Sequence, residues 1–130
     1  MARAWETAKR IAQFHNLEAK PLDGIIDISF GSWEEHPHQE VERNNKELYQ
    51  QWKQEHHLVR LPGGESLEDI RISSMAAMEE VTRLHPGKAL VLVSHRVVNK
   101  VIICGVLGLD NSRFGQIAQG DTAINLIQYR

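Results

Sequence analysis

Residues 89–93, Ala-Leu-Val-Leu-Val, form a short continuous apolar run that leads directly into Ser94-His95-Arg96 and then into a second apolar stretch, Val97 to Leu107. The first run is too short for a helix of ordinary length and is preceded by the breaker pair Pro86-Gly87. Between two segments of helical pattern, such a run reads as a parallel strand buried on both faces. The second stretch is apolar nearly all round, which predicts a buried helix packed on the sheet. Strands alternating with helices predict an α/β fold, a three-layer α/β/α sandwich with a mainly parallel central sheet.

The rest of the chain fits that frame. Trp5, Ala8, Ile11 and Ala12 share one face of a helix over residues 3–16, with Asn16 as its terminator and Trp5 directed to the core. Residues 21–33 carry turn signals around a brief apolar piece and read as extended and loop-like. Residues 38–57 are polar, with a thin stripe of Leu48, Tyr49 and Trp52, and predict a solvated helix lying over something. It fits a lid over a site and a plain surface helix equally well. In "LPGGES" a turn precedes Ser66, an N-cap with Asp69 three residues on. Leu67, Ile70, Ser74, Met78, Val81 and Leu84 then recur at helical spacing until Pro86-Gly87. Residues 122–129, "TAINLIQY", predict a second strand.

Composition narrows the function. A length of 130 residues suits a single domain, and 15 basic against 17 acidic side chains give a net charge of −2, with no basic face for a nucleic acid. The N-terminus holds no apolar signal core, and no run approaches the roughly 20 residues of a membrane span. Cys104 is the single cysteine and sits among apolar neighbours, a buried thiol suited to a reducing compartment. A cytoplasmic protein without nucleic-acid or membrane partners is expected.

Ligands of open parallel sheets gather at the carboxyl ends of strands, and Ser94-His95-Arg96 stands at such an end. The helix that starts there offers free N–H groups and a positive dipole to an anion, commonly phosphate. A histidine in that place either donates to phosphoryl oxygens or merely caps the helix. Arg3, at the start of the first helix, is a guanidinium able to clamp phosphate. Asp27 precedes an aromatic-glycine turn, and Glu65 lies in "LPGGES". A metal site in "EEHPH" is a further possibility, through Glu34, Glu35, His36 and His38, as is one in "EHH" (residues 55–57). Pro37 fixes a turn there, nothing sets a ligand geometry, and such clusters are more often solvated surface. Trp33, placed in a turn, is the aromatic best suited to line a pocket.

Taken in order, four segments resemble the histidine phosphatase superfamily, in its phosphoglycerate mutase-like branch. They are Arg3-Ala4-Trp5-Glu6-Thr7-Ala8; Asp27 ahead of Phe30, Gly31, Trp33 and Glu34; Pro62-Gly63-Gly64-Glu65-Ser66; and Val93-Ser94-His95. The resemblance implies phosphoryl transfer from a small phosphate ester to a histidine and then to water, with no metal or cofactor. It assigns Arg3 to the phosphoryl group, His95 to stabilising its charge by hydrogen bonding, and Asp27 to the proton donor, where the family usually has Glu. Glu65 would brace loops around the pocket, beside the supporting Ser94. Arg96 stands where glycine is common, and either binds substrate phosphate or points away along the helix. Nothing specifies retention of a second phosphate, which favours a phosphatase over a mutase.

The family's nucleophile, a histidine in an Arg-His-Gly motif on the first strand, has no counterpart, because no Arg-His-Gly occurs in the sequence. The chain therefore resembles a family member truncated before its first central strand, and its last residues, "NLIQYR", match one arm of a closing strand pair. An apolar strand without its neighbour exposes an edge, so a homodimer through that edge, a swap of elements or completion by another segment is expected. Negligible activity of the isolated chain is expected too. The alternative is a non-catalytic remnant that binds phosphate, a small phosphorylated metabolite or a protein partner.

Overall fold

A computed structural model describes residues 2–27, 31–34, 37–60 and 62–129. The motif residue Phe30, and Glu35 and His36 of the acidic-histidine cluster, lie outside the described residues. Among the described residues there are five α-helices: α1 (Ala2–Phe14), α2 (His38–Asn44), α3 (Lys46–Gln54), α4 (Leu67–Leu84) and α5 (Arg96–Val106). Short 3₁₀ turns cover Asp23–Ile25, Gly31–Trp33, His56–Leu58 and Asn111–Gln116.

The helix boundaries follow their local chemistry. Asn16 takes a left-handed φ of 56° and Leu17 N–H returns to the Ala12 carbonyl, closing α1. Ser66 caps α4 in a reciprocal box: its hydroxyl accepts from Asp69 N–H at 3.1 Å while the Asp69 carboxylate accepts from Ser66 N–H at 3.0 Å. The polar stretch 38–57 is not one helix but two, broken at Asn45 (φ −135°, ψ 45°), followed by a 3₁₀ turn. Its apolar stripe is too thin to commit one straight face to the body.

Among the described residues, two apolar clusters form the interior. The larger joins α4 and α5 through Leu67, Ile70, Ala77, Met78, Val98, Val101 and Ile102, with Ile25 and Phe114. The smaller gathers Trp33, Val41, Tyr49 and Val59. Trp52 packs against both. The 3₁₀ turn at Asp23–Ile25 lies close on α4: a Cβ on Gly24 would sit 2.5 Å from the Ala77 Cβ and 2.7 Å from the Ser73 carbonyl oxygen.

The expected three-layer sandwich with a parallel sheet is not what the structure contains. Among the described residues there is no strand, and the architecture is helical. A strand is defined by a ladder of backbone hydrogen bonds with a neighbour. Among the described residues, 89–93 make no backbone hydrogen bond to another segment, and the one backbone bond of 122–129 is the turn contact from Ala123 N–H to the Gly120 carbonyl. Burial fails with pairing: Val91 is 71% exposed, and Ile124 and Leu126 are almost fully so. Both segments have strand-like composition, but composition supplies no partner.

One aromatic expectation also needs correction. Trp5 is not core: it is partly exposed, with the Lys9 ammonium 5.9 Å from its ring centroid. Its stripe specified a helix, not what covers that helix. Trp33 is buried against Tyr49, ring centroids 5.8 Å apart.

Candidate anion site at the start of α5

His95 is the residue before α5, in extended backbone (φ −116°, ψ 163°), and its carbonyl accepts the first helical bond, from Asn99 N–H at 2.9 Å. Its side chain makes no capping hydrogen bond. Instead the imidazole Nδ1 lies 3.4 Å from Asp27 Oδ2, with 13% of the His95 side chain and 34% of that of Asp27 exposed. The distance is longer than a good N–H···O bond but within ion-pairing range. Uncapped first-turn N–H groups, an inward histidine and a carboxylate thus meet at one end of α5. The contact uses Nδ1, so Asp27 orients the ring.

Asp27 reaches this place through the turn at Asp23–Ile25. Ile25 is buried in the main cluster, and its carbonyl accepts the Ser94 hydroxyl at 2.6 Å. Two segments 69 residues apart in sequence are thereby fastened beside the pair. Sequence reasoning placed Ser94 only as a supporting residue; no local pattern signals a bond of that span.

The other expected site residues are placed less centrally. Arg96 opens α5, but its guanidinium points to a surface ion pair with Asp121, Nη2 to Oδ1 at 2.6 Å, both side chains largely exposed. Arg3 is exposed on α1, where its carbonyl accepts the Thr7 hydroxyl; no hydrogen bond or ion pair among the described residues joins its side chain to Ser94, His95 or Arg96. Glu65 is half-buried. The turn before it touches the aromatic-glycine turn: a Cβ on Gly31 would lie 2.5 Å from the Gly64 nitrogen, and Gly31 has φ +60°. The two motifs therefore meet through glycine backbone.

Among the described residues, no group of three or more His, Cys, Asp and Glu gathers to hold a metal. A separate polar cleft lies at the far end of α5, past Gly108. There Arg71 donates to the Leu109 carbonyl at 2.6 Å and to Asn111 Oδ1 at 3.1 Å, while Asn111 donates to Glu68 at 3.1 Å. These bonds brace α4 against the turn at Asn111–Gln116 and leave the Arg71 guanidinium engaged.

The profile of the histidine phosphatase superfamily (branch 1) matches residues 1–130. Phosphoserine phosphatase 1 of Hydrogenobacter thermophilus is 33% identical over 127 residues, 98% of this chain and 60% of that protein. The chain thus spans about 60% of the length of that relative. Among solved structures, YhfR of Bacillus stearothermophilus superposes with a TM-score of 0.83 at 22% identity, covering 89% of this chain and 57% of that one. A mycobacterial glucosyl-3-phosphoglycerate phosphatase, solved in complex with inorganic phosphate, gives 0.81 at 20% identity, covering 89% and 59%. At these identities the structural likeness concerns the path of the chain alone.

Proposed function

Because the chain belongs to the histidine phosphatase superfamily, we propose that it supplies the phosphate-binding and proton-handling half of a phosphomonoesterase site. The substrate class is small phosphorylated metabolites. The observation that carries this reading is the contact of His95 Nδ1 with Asp27 at the uncapped start of α5. Phosphoserine and glucosyl-3-phosphoglycerate phosphatases among the similar proteins favour hydrolysis of an ester over transfer between two sites.

In this reading the phosphoryl group sits over the first turn of α5, where free N–H groups and the helix dipole favour its charge. His95 donates to a phosphoryl oxygen as charge develops there, an electrostatic contribution. Asp27 delivers the proton to the departing alcohol oxygen as the P–O bond breaks. The phosphoryl group passes to a histidine and then to water, releasing phosphate. No residue here is assigned as that accepting histidine, since no Arg-His-Gly occurs in the 130 residues. That absence favours the second reading for the chain taken alone: phosphate binding without turnover. Arg3 would join the phosphate from α1, and Arg96 contributes only if released from Asp121. A second copy of the chain is the proposed macromolecular partner.

The test uses the 130-residue chain. Inorganic phosphate is titrated by calorimetry, and p-nitrophenyl phosphate hydrolysis is followed in parallel. Binding without hydrolysis is expected, with binding abolished in His95→Ala and little changed in Arg96→Ala. A phosphohistidine trapped on the chain and lost on mutating one histidine would overturn the absence of turnover. Equal phosphate binding by wild type and His95→Ala would overturn the site itself.

A further inference from the structure

We infer that Ser94 is a positioning residue, whose hydroxyl holds the Asp27 segment against His95. The inference rests on the reading above, in which His95 and Asp27 act as a pair. Ile25 is the last residue of its 3₁₀ turn and is buried in the core, whereas Ile26 is exposed and in extended backbone (φ −66°, ψ 148°). Beyond Ile25 the chain is no longer helical, so the half-buried carboxylate two residues on is carried by backbone that no helix holds. The Ser94 hydroxyl donates to the Ile25 carbonyl at 2.6 Å, a short bond for O–H···O, at the point where that segment departs. Ser94 also immediately precedes His95. One side-chain bond therefore connects the carriers of the two groups that face each other at 3.4 Å.

The opposing α4 contributes the other half of the clamp. Gly24 lies so close on Ala77 and Ser73 that the turn cannot slide towards the helix. With α4 on one side and Ser94 at the exit, Asp27 is held in both respects. Losing the hydroxyl leaves the Ile25 carbonyl to find another donor. Asp27 makes further contacts, but its segment then loses the tie to Ser94 that sets its place against the imidazole. A residue that served only to satisfy a carbonyl would affect stability and leave the His95 ring state alone.

The ring state is therefore the readout. The full chain is labelled with ¹⁵N, and long-range ¹H–¹⁵N spectra of His95 are recorded at alkaline pH, where imidazoles are neutral. Asp27 beside Nδ1 favours the Nδ1–H tautomer in wild type. Asp27→Ala and Ser94→Ala should both lose Nδ1–H signal in favour of Nε2–H, and Ser94→Thr, which keeps a hydroxyl, should restore the wild-type pattern. If Asp27→Ala shifts the tautomer and Ser94→Ala does not, the positioning role is overturned while the His95–Asp27 pair stands. If Asp27→Ala changes nothing, the pair itself fails, and the role built on it with it. Should circular dichroism show Ser94→Ala unfolded, Ser94→Cys takes its place, with nearly the same size and only a weak donor. An unchanged tautomer in Ser94→Cys then overturns the inference.

Discussion

The imidazole of His95 stands at a helix start yet does not cap it, and its Nδ1 faces Asp27 instead. From the sequence both roles were open: a strand-end histidine before a helix fits either. Tertiary contact separates them, since Asp27 is far away in sequence and arrives only through the turn anchored by Ile25. The same limit explains Arg96. Its partner Asp121 is 25 residues on and carries no motif, so nothing local revealed that the guanidinium was engaged. Cys104, by contrast, was legible from its apolar neighbours: it is fully buried, and burial pushes its thiol up from the ordinary value. A thiol kept protonated and inaccessible is a poor nucleophile. Ellman's reagent should label native Cys104 negligibly and react with one thiol per chain after denaturation; rapid labelling of the native chain would contradict its placement.

At the scale of elements, boundaries set by side-chain chemistry were readable. Ser66 with Asp69, and the breaker pair Pro86-Gly87, frame α4 at Leu67–Leu84. Removing the cap in Ser66→Ala should cost about 1 kcal/mol and lower the thermal midpoint by about 4 °C, read by circular dichroism. The break at Asn45, and the turn of 3₁₀ helix after α3, were not readable, because the stripe of Leu48, Tyr49 and Trp52 lies wholly within α3 and marks neither boundary. What fixes α3 is an aromatic joint. His56 stands edge-on to Trp52 at 5.0 Å and tilted against Phe114 at 4.8 Å, with the Lys100 ammonium 4.9 Å from the Phe114 ring centroid. Burial first, then the charges of Lys100 and His57, hold the His56 imidazole below its ordinary value of 6.5. A base whose folded value is depressed binds its proton more readily when unfolded, so the stability it contributes is complete above that ordinary value and is lost as pH falls below it. Urea midpoints should therefore fall as pH is lowered from neutral through 6.5, and His56→Gln should remove part of that slope. An unchanged slope in His56→Gln would place the titrating group elsewhere.

For the molecule as a whole, the larger cluster of the interior is built by α4 and α5, and large apolar side chains remain outside it. Leu90, Val91 and Leu92 and, further on, Ile124 and Leu126 stand exposed. Apolar surface of this kind favours association. Sedimentation at rising concentration should show mass above that of a single chain, and Ile124→Glu with Leu126→Glu should return it to the monomer; a monomer throughout would remove the second copy as partner. The family was legible in the sequence because its motifs are local strings, and it matches residues 1–130. The sheet was read wrongly for a definite reason: apolar runs at 89–93 and 122–129 report which residues prefer a covered, extended backbone. Pairing is a relation between segments, and these have no ladder partner among the described residues. By itself the sequence determined the caps, the breakers, the helical faces of α4 and α5, and the chemical types brought to the start of α5. Only tertiary structure decided that His95 faces Asp27, that Ser94 fastens Ile25, and that Arg96 turns to Asp121. Those choices depend on distances between residues remote along the chain, which side-chain periodicity does not encode.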